Sequence, residues 1–292
     1  MQGKSLIRYL DICLTILNCV LKEINKFISI MEKHILIDNP AVSNIVFYPR
    51  KTVIPNNLGP DTEILKFHIG DDVIIGGFFY KNNVNLPTIL LFHGNGEVAL
   101  DYRLIARLFY KCDVNLAVVD FRGYGFSTGE PYYTSLISDA MPIFTAFNEW
   151  MDEHHLLNSL FIQGRSLGSI CAAEIGAHNP PNLRGIIFES GFASAYNMMT
   201  NLFRVSSPYL TPESLDDYSN DTRVKKFTMS TLIIHGTMDW IIPLTEAHLL
   251  YNNLPNSIDK KLIIIEGAGH NNILTFEEEY FIPLSDFINL NK

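Results

Sequence analysis

The chain of 292 residues is 47% hydrophobic and 18% charged, an ordinary soluble globular composition with enough apolar side chain for one large α/β domain or two small ones. Its formal net charge of −9 argues against a nucleic-acid partner, whose phosphates need concentrated Lys and Arg. The four cysteines, Cys13, Cys19, Cys112 and Cys171, form no C-x-x-C pair, so they read as free, buried thiols in a reducing, cytoplasmic compartment.

Residues 1–37 are unlike the rest. Apolar side chains recur at Leu6, Leu10, Cys13, Leu17, Val20, Ile24, Phe27 and Met31, a 4-3-4-3 spacing that predicts a long amphipathic helix. Arg8, Asp11, Asn18 and Lys22 interrupt every window long enough to span a bilayer, and no small-residue cleavage site follows, so neither a membrane span nor a signal peptide is expected. The apolar stripe within residues 4–34 has three destinations: the chain's own domain, a partner helix, or peripheral contact with a membrane surface. Met31 offers a second start that would lose most of this helix.

The main domain is expected over residues 38–292. Residues 38–60 hold five Pro and Gly punctuators and predict irregular chain with a short extended piece at residues 44–48. Residues 63–69 and 73–80, joined by Gly70-Asp71-Asp72, predict an antiparallel hairpin, and Gly76-Gly77 inside the second strand suggests a bulge or close packing. From Pro87 onward strands and helices alternate. Strands are predicted at residues 88–92, 116–120, 159–163, 185–189, 232–235 and 261–266. Helices are predicted at residues 98–110, with Leu100, Leu104 and Leu108 as one face, and at 135–153, 170–177, 243–254 and 276–289. Repeated β-α units mean a mostly parallel sheet covered by helices on both faces. Residues 193–230, with Pro208, Pro212 and an acidic middle, read as a small lid or as a solvated connector.

Gly164-Arg165-Ser166-Leu167-Gly168 falls between the apolar run at residues 160–162 and the small-residue helix at 170–177. A G-x-S-x-G pattern in strand-turn-helix context predicts a nucleophile elbow, with Ser166 on a strained turn and free helix N–H groups aimed above it. Three further stretches follow strands, where open α/β sheets bind ligands. They are His93-Gly94-Asn95-Gly96, His235-Gly236-Thr237-Met238-Asp239 and Gly267-Ala268-Gly269-His270-Asn271. Together with the elbow they supply a hydroxyl, a carboxylate and an imidazole in the order Ser, Asp, His. Asp120 ends a strand before Ser166, the wrong order for an acid partner, whereas Glu189 ends a strand after it and rivals Asp239. His93, His235 and Arg122 read as structural. The remaining histidines match no zinc spacing, and Gly123-Tyr124-Gly125-Phe126-Ser127-Thr128-Gly129 is one residue too long for a dinucleotide fingerprint, so neither metal nor cofactor is expected.

The segments LLFHGNGE, VVDFRGYGFSTGEP, FIQGRSLGS, LIIHGTMDWIIP and EGAGHNN resemble those of α/β-hydrolase superfamily serine hydrolases, and are similar to the small-lid subgroup that includes depalmitoylase-like proteins. The resemblance covers residues 45–290. It implies an α/β-hydrolase fold with Ser166 as nucleophile, His270 as base, Asp239 as its orienting acid, and the backbone N–H groups of Asn95 and Leu167 as the oxyanion hole. The implied activity is hydrolysis of a carboxylic ester or thioester, with a small-molecule or lipid-like acyl substrate. The alternatives are amide or peptide cleavage and a catalytically silent binding protein on the same fold.

Overall fold

The computed structural model describes residues 36–70 and 72–292. The expected N-terminal helix, with Cys13 and Cys19, lies outside the described residues. A single eight-stranded sheet organises the rest: β1 (Thr62–His68), β2 (Ile74–Tyr80), β3 (Thr88–Phe92), β4 (Asn115–Val119), β5 (Leu160–Arg165), β6 (Leu183–Glu189), β7 (Ser230–Gly236) and β8 (Lys260–Ile265). The order across the sheet is β1-β2-β4-β3-β5-β6-β7-β8. β2 is antiparallel to β1 and to β4, and every other pairing is parallel. This is the mostly parallel α/β-hydrolase architecture that the resemblance implied.

Strands β3, β4 and β5 are buried along their whole length, as near-continuous apolar runs in a parallel sheet must be. Successive side chains serve opposite faces. Leu90 and Phe92 join one apolar cluster with residues of α1 (Pro40–Val46), α3 (Tyr133–Ser138), α4 (Ala140–Glu153), α5 (Ser169–His178) and α6 (Leu244–Asn253). Ile89 and Leu91 join the other, with α2 (Tyr102–Phe109) and α7 (Glu277–Asn291), where Phe109 meets Phe281 edge-on at 5.4 Å. The hairpin forms as predicted, with unbroken register rather than a bulge; a Cβ on Gly77 would lie 2.4 Å from the Val118 carbonyl oxygen. Cys112 and Cys171 are free and buried, and burial pushes the Cys112 thiol up to about 12.

Three local expectations are corrected. The piece expected to be extended at residues 44–48 is largely helical: α1 runs from Pro40 to Val46, because Asn39 caps Ala41 N and Pro40 occupies the first turn, where its missing N–H costs nothing. The face of α2 is also different. Tyr102, Ala106 and Phe109 are buried, while Leu104 is 77% exposed and Leu100 and Leu108 are only half-buried. Two apolar rows compete on this helix, and the row with the larger aromatic area goes inward. The helix expected over residues 135–153 divides at Asp139 into α3 and α4, since Pro142 has no N–H to offer the Ser138 carbonyl. Asp139 at that break takes two bonds of 2.6 Å from Arg122, which braces the turn, as the sequence suggested.

Residues 193–230 serve two purposes. The first part, a helical turn at Ala195–Asn197 and a π-turn at Met198–Leu202, lies over the C-terminal ends of the strands. The second part is fastened to α5: Asn220 Nδ2 donates to Ser169 Oγ (3.1 Å) and Arg223 Nε to Glu174 Oε2 (2.6 Å).

Candidate active site

The chain leaves β5 at Arg165 and reverses into the 3-10 turn Ser166–Gly168 and then α5. Ser166 sits at the apex with φ +50°, a region that a non-glycine residue enters only when the surroundings fix it. Those surroundings leave no slack. A Cβ on Gly168 would lie 2.0 Å from the Phe92 carbonyl oxygen, and one on Gly164 would lie 2.7 Å from the Ala172 Cβ. The two glycines therefore let the elbow close against β3 and α5. Ser169 Oγ donates to the Ser166 carbonyl (2.6 Å) and ties off the turn.

Ser166 opens into a cleft of about 280 Å³. One wall comes from the segment after β6 and the loop after β7, and is apolar: Phe192, Met198, Leu202, Phe203, Ile241 and Ile242. The opposite wall is polar and includes Tyr48, Asn95, Glu97 and Asn271. Leu167, His270 and Gly94 complete the lining. A neighbouring cavity of about 380 Å³ shares Phe192, Met198, Leu202, Ile241 and Ile242 as its wall, and opens outward at Trp240 and Arg204.

His270, on the loop after β8, places Nδ1 2.8 Å from Asp239 Oδ2. A carboxylate only accepts, so Nδ1 carries the proton and Nε2 is left as the acceptor. Asp239 is held in turn by the N–H groups of Ile241 (3.0 Å) and Ile242 (2.8 Å), both to Oδ1. Burial pushes the Asp239 carboxyl up, but the His270 bond and the backbone donors outweigh it and leave it below the usual aspartate value. His235 lies behind this pair, buried, donating from Nε2 to the Ile242 carbonyl (2.8 Å) and lying 3.5 Å from Asp239 Oδ2. Burial keeps its imidazole neutral, its pKa below the ordinary histidine value. Ser166 and His270 line the same cleft without a hydrogen bond closed between them, a usual state of such contacts before substrate arrives.

The sequence-derived candidates Ser166, Asp239, His270, Asn95 and Leu167 thus converge, while the rivals have other employment. Glu189 accepts from Arg165, Gln163 and Tyr280. Asp120 accepts from Ala99 N and lies 3.3 Å from His93 Nε2. Asn95 is anchored through its side chain: Oδ1 accepts from Tyr48 N (3.1 Å) and Tyr124 OH (2.7 Å), and Nδ2 donates to the Val46 carbonyl (2.6 Å). The chain before β1 therefore buttresses the glycine turn. Sequence reasoning missed Tyr48, Glu97 and Arg165. A signal existed for Arg165, a charged residue at the end of the buried strand β5. Among the described residues no three His, Cys, Asp or Glu side chains cluster as metal ligands would, and no helix is long and apolar enough to cross a membrane.

Comparison with known proteins is consistent with this geometry. The family described as serine aminopeptidase, S33, matches residues 85–212. Protein bem46 of Schizosaccharomyces pombe is 26% identical over 245 residues, 81% of this chain and 80% of that protein. The uncharacterized protein YfhR of Escherichia coli K12 is 28% identical over 238 residues, 78% of this chain and 79% of that protein. Among solved structures, the Pyrococcus furiosus esterase Pf2001 superposes with a TM-score of 0.66 at 16% identity, covering 83% of this chain and 98% of the esterase. An acylaminoacyl peptidase bound to a chloromethyl ketone gives a TM-score of 0.61 at 16% identity, covering 78% of this chain and 41% of the peptidase.

Proposed function

We propose that this chain, whose fold is that of the α/β-hydrolases, is a serine hydrolase that cleaves a carboxylic ester or thioester through an acyl-enzyme on Ser166. The observation that carries the reading is the buried Asp239–His270 pair at 2.8 Å, facing the same cleft as a serine strained to φ +50°. In the first half-reaction Ser166 Oγ attacks the carbonyl carbon while His270 Nε2 takes its proton. Asp239 stabilises the imidazolium that results. The negative oxygen of the tetrahedral intermediate is met by the backbone N–H groups of Asn95 and Leu167, the latter at the start of the elbow helix. One such donor is typically worth about 2.7–4 kcal/mol. Collapse expels the alcohol or thiol, which takes the proton from His270. Water then attacks the acyl-enzyme by the same path and releases the acid.

The apolar wall and the esterase neighbour favour an ester or thioester with an acyl group against Phe192, Met198 and Leu202. The aminopeptidase family match supports amide cleavage as a second reading, and a matched ester and amide pair with one acyl group separates the two. The primary test is labelling by a fluorophosphonate probe together with turnover of p-nitrophenyl esters of graded chain length. Wild type is expected to label and turn over, and a folded Ser166→Ala to do neither beyond the small residual rate left by binding and the oxyanion hole. A folded wild type that neither labels nor turns over any ester or amide would leave only a binding role for the fold.

A further inference from the structure

We propose that Arg165 is a positioning residue that joins the loops of the catalytic centre, an inference that rests on the serine-hydrolase reading above. Arg165 immediately precedes Ser166 and is 7% exposed. Its three guanidinium nitrogens reach the loop after β3, the end of β6 and the loop after β8. Nε donates to Glu97 Oε1 at 2.7 Å, Nη1 to Glu189 Oε1 at 2.8 Å, and Nη2 to Asn271 Oδ1 at 3.4 Å. Each acceptor leads to a working part of the site. Glu97 closes the glycine turn that carries Asn95, since its Oε2 accepts from Gly94 N (3.0 Å) and from Tyr102 OH (2.7 Å). Asn271 follows His270 directly. Glu189 anchors the junction to the sheet, its Oε2 accepting from Gln163 Nε2 (2.8 Å) and Tyr280 OH (2.6 Å). One side chain therefore connects the nucleophile to the turn of one oxyanion donor and to the loop of the base.

The contribution is geometric rather than electrostatic. A single guanidinium between two carboxylates has no surplus positive charge to lend an oxyanion. Buried ion pairs also add little net stability over an apolar replacement, and their best-attested use is to fix a register. Only a planar fork with donors on three nitrogens spans these acceptors; a lysine at the same position keeps the charge and offers one point of attachment.

The test compares Arg165→Lys, Asn271→Ala, Asn271→Asp and the double variant Arg165→Lys/Asn271→Ala with wild type. The readouts are kcat and KM on a soluble ester, the rate of Ser166 labelling by a fluorophosphonate, and Tm. Arg165→Lys is expected to lower kcat and the labelling rate by about 100-fold with little change in KM, the loss that a misplacement of about 1 Å brings. Asn271 is exposed, so Asn271→Ala folds whatever becomes of Arg165→Lys, and a loss of about tenfold in kcat is expected from it. Asn271→Asp keeps an acceptor for Nη2 and recovers most of that loss. Because both residues act through one contact, the double variant is expected to be no slower than Arg165→Lys alone. Near-wild-type kcat in a folded Arg165→Lys, losses that multiply in the double variant, or a lowered Tm with kcat intact would each overturn the inference. So would an Asn271→Ala enzyme as fast as wild type. Wild-type labelling and turnover in the same assay test the hydrolase reading separately, and their absence removes that reading and this inference together.

Discussion

Glu97 shows how one side chain's environment sets both its charge and the stability it brings. Burial pushes its carboxyl up, but Arg165 foremost, helped by the Tyr102 hydroxyl, brings it from the ordinary 4.5 down to about 2. A carboxyl depressed in the fold stabilises the protein fully above its unfolded value and loses that contribution as pH falls through the folded one. The contribution of Glu97 is therefore lost between pH 4.5 and about 2. Buried, neutral His235 acts earlier in an acid titration: its depressed value means that stability is lost as pH falls below the ordinary histidine range. Urea unfolding across pH should show Glu97→Gln less stable than wild type near neutrality, with a shallower decline between pH 4.5 and 2. Parallel declines for the two proteins would mean that Glu97 is not depressed in the fold. The same close reading gives the two acids, Asp239 and its rival Glu189, different partners. Glu189 is taken by Arg165, Gln163 and Tyr280, and Asp239 is taken by His270.

Helix α2 is where local pattern and packing part company. The spacing of Leu100, Leu104 and Leu108 is as regular as that of Tyr102, Ala106 and Phe109, and it is the packing of the second row into the apolar layer under the sheet, where Phe109 meets Phe281, that selects it. Leu104→Gln is expected to change stability by less than about 0.5 kcal/mol, as for any exposed site. Phe109→Ala, at a position with no exposure, is expected to cost about 3–5 kcal/mol. Denaturant midpoints of the two variants check the assignment, and a reversed ranking would turn the helix over. Helix α1 shows the converse. Proline density suggested extended chain, yet Asn39 and Pro40 together are a helix start, and the carbonyl of Val46 at its far end receives the Asn95 side chain. An element expected to be irregular therefore supports the turn that faces Ser166 across the cleft.

The described chain closes its sheet and both apolar layers from Ile37 onward, and every part of the proposed site lies beyond residue 47. Deleting residues 1–30 is therefore expected to leave Ser166 labelling and soluble-ester turnover unchanged, while altering solubility, liposome flotation or light-scattering mass through the lost apolar stripe. A truncated protein that is unfolded and inactive would make that segment part of the core. The strands, their alternation with helices, and the Ser166, Asp239, His270 order were all readable from the amino acids, because each rests on local chemistry. A buried parallel strand must be an apolar run, an elbow needs glycines flanking its serine, and the loops after strands carry the reactive groups. What the residues could not specify was who meets whom across the sheet. The order β3-β5-β6 makes neighbours of charged residues 68 and 24 positions apart and so creates the Glu97–Arg165–Glu189 junction, and the pairing of β7 with β8 brings Asp239 to His270. Those choices depend on long-range contacts and on the removal of particular surfaces from water, and no window of sequence contains either.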